Sequence, residues 1–248
     1  NEETRGNIFD FLVSEDPDIV CMQEFYYLGK DTSSFINDLR RSLNLSYLYK
    51  KNYYRWKYKI HALITLTSFP IIQSGNISID NKRTIAIFTD LLFRKDTIRL
   101  YNVHLESIRF QESDLRFVSD MTIQPGNNND ITEGSKSLFK KIGQAFRNRS
   151  IQAKELSAHI QRCRHPVIVC GDFNDTPASY TYKIVRGDLK DAFIESGFGY
   201  GNTYAGDLPP IRIDYILHDP LFKSQEFNVH KIIDYSDHYP ISSELLTE

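Results

Sequence analysis

The sequence predicts one α/β domain in which helices and strands alternate and strands pair in both directions. The chain has 248 residues, of which 41% are hydrophobic, so it is long enough to bury the core of one large domain. Amphipathic helical runs alternate with short β-branched apolar runs along its whole length. Two strand-like runs flank the polar turn at 94–97, which predicts an antiparallel hairpin. We therefore expect residues 1–248 to form a single domain.

The first half of the chain is predicted to contain two helices and five strands. The first helix ends at Asp16-Pro17, because the residue before proline is disfavoured in the α region. An apolar run then predicts a short buried strand that leads into Gln23-Glu24. The predicted helices span 2–14 and 33–43, and the predicted strands span 18–22, 47–51, 60–67, 84–93 and 97–104.

The second half begins with a segment that shows no periodicity and contains Pro-Gly-Asn-Asn-Asn-Asp, which predicts a mobile loop at 121–137. A helical pattern follows over 137–163, then a buried strand at 167–170 and one or two short helices within 174–196. The end of the chain is rich in strands, predicted at 211–217, 227–233 and 240–246. The sequence shows no repeat of fixed period and no linker.

Composition excludes several classes of protein. The formal net charge is -2, so the chain lacks the global basic field of a dedicated nucleic-acid binder, and an anionic substrate would be held by local charge or by metal. Three cysteines without pair spacing argue against a disulfide scaffold. No apolar run approaches the length of a membrane span. The chain begins at Asn1 without methionine or a signal-like segment, so we expect a soluble domain of undetermined compartment, with an upstream anchor or signal left open.

Four short polar segments carry the functional prediction, because each lies at or near the end of a strand-like run. One fold can bring such strand ends to a single point. Carboxylates, an amide and two imidazoles gathered in this way suit Mg²⁺-assisted attack on a phosphate ester. The segments are Gln23-Glu24, Asn102-Val103-His104-Leu105-Glu106, Gly171-Asp172-Phe173-Asn174-Asp175 and Ser236-Asp237-His238.

The residue types within these segments favour particular roles. Asp172 and Asn174 are two residues apart and point the same way from a strand end. There they could bind one metal ion and one phosphoryl oxygen. The alternative is an Asx turn that only ends the strand. Glu24 could ligate Mg²⁺ or could be a solvated strand end. Asn102 and His104 lie on the same face of one strand.

His238 is a candidate general base, provided that a carboxylate fixes its tautomer. Asp214 is the candidate partner, because an acidic residue between Ile213 and Ile216 in a buried strand needs a partner. A structural ion pair between Arg212 and Asp214 is the alternative.

These segments, taken with Arg212-Ile213-Asp214-Tyr215, resemble the endonuclease/exonuclease/phosphatase superfamily, which has the deoxyribonuclease I-like fold. Five motifs follow one another in the order of that family. The resemblance implies a four-layered α/β sandwich in which two packed mixed β-sheets are flanked by helices. It also implies an active site at one rim of the two sheets.

The same resemblance implies a role for each residue. Glu24 would bind Mg²⁺ or Mn²⁺, and Asp237 would support the metal through its water shell. Asp172 and Asn174 would orient the attacking water, and His238, held by Asp214, would take up its proton or stabilise the developing charge. The residues expected to contact the phosphate are Asn102, His104 and Asn174.

Two features depart from the family pattern. Members usually open with a strand that carries an asparagine beside the metal, and this chain starts beyond that point, so we expect that strand to be missing. The carboxylate that would orient His104 is not identifiable, although His61 lies in the corresponding segment.

The predicted function is metal-dependent hydrolysis of a phosphoester by a phosphodiesterase, nuclease or phosphatase, with no protein partner and a monomeric state. The alternatives are a lipid or inositol-phosphate substrate and a catalytically silent binding module on the same fold. The segment 47–59 interleaves aromatic and basic residues, which suits nucleic acid, a lipid headgroup interface or simply a twisted surface strand. A second basic run is predicted to be a solvated helix face, and it consists of Lys136, Lys140, Lys141, Arg147 and Arg149.

Overall fold

The structure is a computed structural model that describes residues 2–28, 32–79, 83–108, 131–206, 209–233 and 235–247. The helices are α1 (Glu2–Glu15), α2 (Thr32–Ser42), α3 (Ile131–Gln161), α4 (Tyr180–Arg186) and α5 (Ala192–Ser196). The strands are β1 (Ile19–Leu28), β2 (Tyr47–Trp56), β3 (Lys59–Thr67), β4 (Ile71–Ile79), β5 (Arg83–Phe93), β6 (Asp96–His104), β7 (Val167–Asp172), β8 (Lys190–Asp191), β9 (Asp214–His218), β10 (Phe222–Val229) and β11 (Ile241–Thr247).

The largest sheet has six strands in the order β4-β5-β6-β7-β9-β8. Its two central strands, β6 and β7, are parallel and are joined through the long helix α3, while the other neighbours are antiparallel. The predicted hairpin is confirmed as β5–β6. Because β6 and β7 are parallel, their carboxyl ends lie side by side at one edge of the sheet.

A second sheet of three strands has the order β1-β3-β2, and β10 pairs with β11 in a separate two-stranded unit. Both are antiparallel throughout. The resemblance implied two mixed sheets, whereas among the described residues only the six-stranded sheet is mixed. The two-residue connection between β2 and β3 permits only an antiparallel pair there.

Helices and sheets stack in four layers. Helices α1 and α2 cover one face of the small sheet, where Ile60 and Ala62 join the buried cluster. The opposite face packs against the six-stranded sheet through a second cluster that includes Leu100 and Ile168. On the far side of the large sheet, α3 and α4 bury residues such as Leu156. This order of layers confirms the predicted sandwich and places the core between all four.

Several predicted boundaries are wrong for identifiable reasons. Strand β1 runs to Leu28, so Gln23-Glu24 lies inside the strand at a bulge and does not follow its end. Strand β4 was not predicted, because Ser74-Gly75-Asn76 interrupts its apolar pattern at the edge of the sheet. Helix α3 begins at Ile131, within the segment predicted as a loop. The rest of that predicted loop lies outside the described residues.

No helix among the described segments is long and apolar enough to cross a membrane. The cysteines are free thiols. Cys21 and Cys170 pack at the interface between the two sheets.

Candidate active site

The register of the large sheet gathers the predicted residues of three strands. His104, the last residue of β6, is the direct partner of Asp172 at the end of β7. Asp172 in turn pairs with Asp214, the first residue of β9. Side chains at paired positions share one face of a sheet. One row across β6, β7 and β9 therefore holds an imidazole and two carboxylates.

His238 completes this row from the loop before β11. Its Nδ1 lies 2.9 Å from Asp214 Oδ2 and 3.2 Å from Asp214 Oδ1. Asp214 is buried, and its backbone N–H donates to the hydroxyl of Thr203, which fixes the start of β9. The predicted His238–Asp214 pair is therefore present. The Asp214 carboxylate contacts Nδ1 of His238, and Nε2 is the ring nitrogen that does not contact Asp214.

The surroundings of His238 favour its charged form. Burial would lower the pKa of this imidazole, but the hydrogen bond and the negative charge of Asp214 more than offset that effect. Asp172 and Asp237 add further negative charge, and the pKa rises to about 9. In the metal-free protein the ring is thus mostly protonated at neutral pH.

Asp172 and Asn174 form a compact turn at the end of β7. The backbone N–H of Asn174 donates to Asp172 Oδ1 over 2.7 Å, and Asn174 Nδ2 donates to Asp172 Oδ2 over 2.5 Å. Asn174 Nδ2 also contacts the carbonyl of Leu105 at 3.2 Å. The Asx turn considered as the alternative exists, and the same turn presents both side chains to the row that contains His104 and Asp214.

The carboxyl of Asp172 is held in a setting that opposes its ionisation. Burial raises its pKa well above the usual range, and the charges of Asp214 and Glu24 raise it further. His238 and the hydrogen bond from the Asn174 backbone act in the opposite direction. Three carboxylates crowd this end of the sheets, an arrangement that a bound cation would stabilise.

Glu24 reaches the site through a β-bulge. The register of β1 against β3 shifts between Met22 and Phe25, and Glu24 has a φ of 49°. Bulges commonly redirect a side chain beside an active site. Glu24 Oε1 lies 3.3 Å from His104 Nε2, and Asp172 Oδ2 lies 3.8 Å from the same nitrogen. These two carboxylates are the neighbours of His104 that the sequence did not identify.

Asn102 does not fit its predicted contact with phosphate. Its side chain is 0% exposed. Its Oδ1 accepts from Gln23 Nε2 at 2.7 Å, and its Nδ2 donates to the carbonyl of Ile64 at 2.8 Å. Both partners belong to the small sheet, so the amide of Asn102 links the two sheets beneath the site and positions β1.

Asp237 is exposed beside His238, and its carboxylate lies 3.3 Å from the hydroxyl of Ser236. Within the described residues, the group whose donor atoms all lie within 4.8 Å of one another consists of Asp172, Asp214 and His238. Neither predicted metal ligand, Glu24 or Asp237, belongs to that group. Glu24 is nevertheless directed at His104 and is 61% exposed, so its oxygens are accessible to a cation.

Two arginines are buried in ion pairs that the sequence did not predict. Arg212 Nη1 lies 2.9 and 2.8 Å from the two oxygens of Asp191, so the alternative pairing of Arg212 with Asp214 is wrong. Arg149 is buried as well, with its Nε 3.0 Å from Asp175 Oδ2. The predicted solvated helix face therefore fails at Arg149, which anchors α3 to the turn that follows Asp172.

Two tyrosines beside the site were not singled out from the sequence. Tyr204 meets the ring of His238 edge to face at a centroid distance of 5.7 Å. Tyr53 lies 5.7 Å from the ring of His104. Tyr204 stands in a polar loop without periodicity, and Tyr53 is one of many aromatics in β2, so neither carried a distinguishing signal.

Comparison with known proteins identifies the family. The Endonuclease/Exonuclease/phosphatase family matches residues 1–238. The chain belongs to this family. No curated protein matches the chain by sequence.

Solved structures agree with the family in fold. A family protein from Leptotrichia buccalis has a TM-score of 0.67 at 15% identity, covering 99% of this chain and 93% of that chain. The human Nocturnin catalytic domain with bound sulfate has a TM-score of 0.66 at 17% identity, covering 100% of this chain and 88% of that one. A mannosyl-6-phosphatase from Bacteroides thetaiotaomicron has a TM-score of 0.62 at 16% identity, covering 99% and 91%. At these identities the likeness establishes the fold alone.

Proposed function

We propose that this family member is a divalent-metal-dependent phosphoester hydrolase that cleaves a phosphodiester or a phosphomonoester. One observation carries the proposal. The row His104–Asp172–Asp214 across three strands receives the imidazole of His238, which is hydrogen-bonded to Asp214. A binding surface has no need of a histidine whose Nδ1 is fixed by a buried carboxylate, whereas proton transfer through Nε2 depends on that orientation.

The residues divide into two functions. Because Asp214 engages Nδ1, His238 can exchange a proton with water or with a phosphoryl oxygen only through Nε2. Asp172 and Asn174 lie beside it and orient the attacking water as acceptor and donor. His104, between Glu24 and Asp172, binds a phosphoryl oxygen as a hydrogen-bond donor.

The donor set fits Mg²⁺ or Mn²⁺, which prefer oxygen ligands and accept one or two protein carboxylates. Glu24 and Asp172 would hold the ion, and Asp237, next to His238 in the sequence, would act through water. The bound ion would supply charge stabilisation for the phosphoryl oxygens. Burial raises the pKa of Asp172 first of all, and repulsion from Asp214 and Glu24 raises it further; a cation would relieve that repulsion.

The test is hydrolysis of bis(p-nitrophenyl) phosphate by the purified chain after treatment with EDTA. We expect no turnover without metal, and turnover when Mg²⁺ or Mn²⁺ is restored. Asp172→Asn should lower the rate by about 100-fold or more, because it removes an anionic group from the reacting centre. The matched control is Asp188→Asn, the same change at an exposed carboxylate.

Equal rates for the two asparagine variants would contradict the assignment of Asp172. Metal binding with no turnover on phosphodiester, phosphomonoester, nucleic-acid or phospholipid substrates would identify a catalytically silent binding module instead. Full activity in EDTA would contradict the metal requirement.

A further inference from the structure

The small sheet carries a row of aromatic side chains that the hydrolytic chemistry itself does not require. Tyr26 of β1 and Tyr54 of β2 are the cross-strand partners of His61 on β3. The two tyrosine rings each meet the His61 ring edge to face at a centroid distance of 5.5 Å. These three residues are called the aromatic row below.

The aromatic row faces the active site. Its neighbours in β3, Ile60 and Ala62, pack into the cluster under α1 and α2, so alternation turns His61 to the opposite face, toward the large sheet. Tyr53, at the bulge of β2, joins the two regions. Its ring lies 6.4 Å from His61 and 5.7 Å from His104. The row is therefore continuous with the residue proposed to bind phosphate.

The row is accessible and lies between positive charges. Tyr26 is 39% exposed and Tyr54 is 49% exposed. Lys59, two residues before His61, shares its face, and the Lys59 ammonium lies 6.0 Å from the Tyr26 ring. Lys51 pairs with Leu63, two positions beyond His61, so the Lys51 side chain lies on the same face of the sheet as His61. Lys59 and Lys51 thus lie on opposite sides of His61. An aromatic surface bracketed by lysines complements a ligand made of planar rings and phosphates.

We propose that the aromatic row is a stacking subsite for a base of single-stranded nucleic acid whose adjacent phosphate lies at His104. This inference rests on the proposed function and names its substrate class. Bases stack on aromatic side chains without regard to sequence, and lysines beside them neutralise the backbone. A lipid surface is disfavoured, because membrane insertion calls for apolar side chains, whereas these side chains bear hydroxyl and imidazole groups.

The test is direct binding in EDTA, which requires no turnover. Fluorescein-labelled single-stranded oligothymidine is compared with an oligomer of equal length built from abasic spacers, which keeps the phosphates and lacks the bases. We expect the wild-type chain to bind the oligothymidine at least about fivefold more tightly, as loss of one stacked base predicts. Tyr54→Ala should remove this preference, and Tyr54→Phe, which keeps the ring, should retain it.

The matched control is Tyr47→Ala. Tyr47 is 38% exposed and lies at the other end of the same strand, about 20 Å away, so the preference should survive its loss. If Tyr54→Ala does not fold, Tyr54→Leu keeps an apolar side chain in the strand and should show the same loss.

Equal binding of the two oligomers by the wild-type chain would overturn the proposal, as would a preference that survives in both Tyr54→Ala and Tyr54→Leu. Vesicles of equal parts phosphatidylcholine and phosphatidylserine test the lipid alternative. If Tyr54→Ala lost binding to these vesicles while its binding to the oligomers stayed unchanged, the proposal would be overturned in favour of a lipid surface. A chain that shows the base preference yet hydrolyses nothing would retain this inference and refute the hydrolase proposal.

Discussion

At the scale of single residues, the protonation of His238 depends on Asp214. Burial alone would lower the pKa of the imidazole below its ordinary value of 6.5, and it is the neighbouring carboxylates that raise it to about 9. A pKa that is higher in the folded state stabilises the fold fully below pH 6.5. That contribution is lost as the pH rises through 9.

Asp214→Asn tests this dependence. The amide can still accept from Nδ1 but carries no charge, so the pKa of His238 should fall from about 9 to 6.5 or below. The measurement is an NMR titration of the His238 ring protons in EDTA. The wild-type chain should also lose more stability than the variant between pH 7 and 10. A pKa that stays near 9 in the variant would show that Asp214 does not control His238.

The predictions from sequence placed residues correctly where a residue's position follows from its own strand. Asp172 and Asp214 follow or begin buried runs, and pairing of those strands was enough to bring them together. Asn102 was misjudged because its partners, Gln23 and Ile64, belong to the other sheet. Arg149 was misjudged for a similar reason, since its partner Asp175 is distant in sequence. Contacts between layers leave no periodic signal in one sequence.

At the scale of elements, two backbone features bring side chains into the site. The bulge of β1 turns Glu24 toward His104. The alternation of apolar and polar residues in the sequence does not predict this bulge. In β7, Gly171 has a φ of 145°, and an added Cβ would lie 2.1 Å from the carbonyl oxygen of Val103 on β6. Gly171 therefore allows β6 and β7 to approach closely next to Asp172.

Gly171→Ala should disturb both the fold and the site. The steric overlap and the backbone strain together should lower the free energy of unfolding by about 3 kcal/mol and displace Asp172. Denaturant unfolding and the hydrolysis rate measure the two effects. The control is Gly143→Ala in α3, where a Cβ meets nothing within 4 Å, and this change should stabilise the chain by up to about 1 kcal/mol. Similar effects at both glycines would contradict the close approach at Gly171.

At the scale of the whole molecule, the site depends on the packing of one sheet against the other. Glu24 and the aromatic row come from the small sheet, whereas His104, Asp172 and Asp214 come from the large one. The amide of Asn102 and the inter-sheet cluster hold the two together. The alternation of helices and strands predicted the α/β class, and the family resemblance implied the sandwich, while the alignment of the two sheets depends on the side chains packed between them.

We therefore propose that the chain is one domain and expect it to unfold in one cooperative transition. The single tryptophan, Trp56, belongs to β2, so its fluorescence reports on the small sheet. Far-ultraviolet circular dichroism reports on the helices of both outer layers. The two signals should give the same denaturant midpoint. An earlier transition for Trp56 would show that the small sheet with its helices is a separate unit.

The central claim is that His238 transfers a proton during hydrolysis of a phosphoester. Its most direct test is the turnover number of His238→Ala at saturating Mg²⁺ or Mn²⁺, compared with His165→Ala, the same change at an exposed histidine. We predict a loss of about 100-fold or more for His238→Ala, the range of general acid–base catalysis, and none for His165→Ala. A His238→Ala variant that folds and keeps the wild-type turnover number would contradict the account.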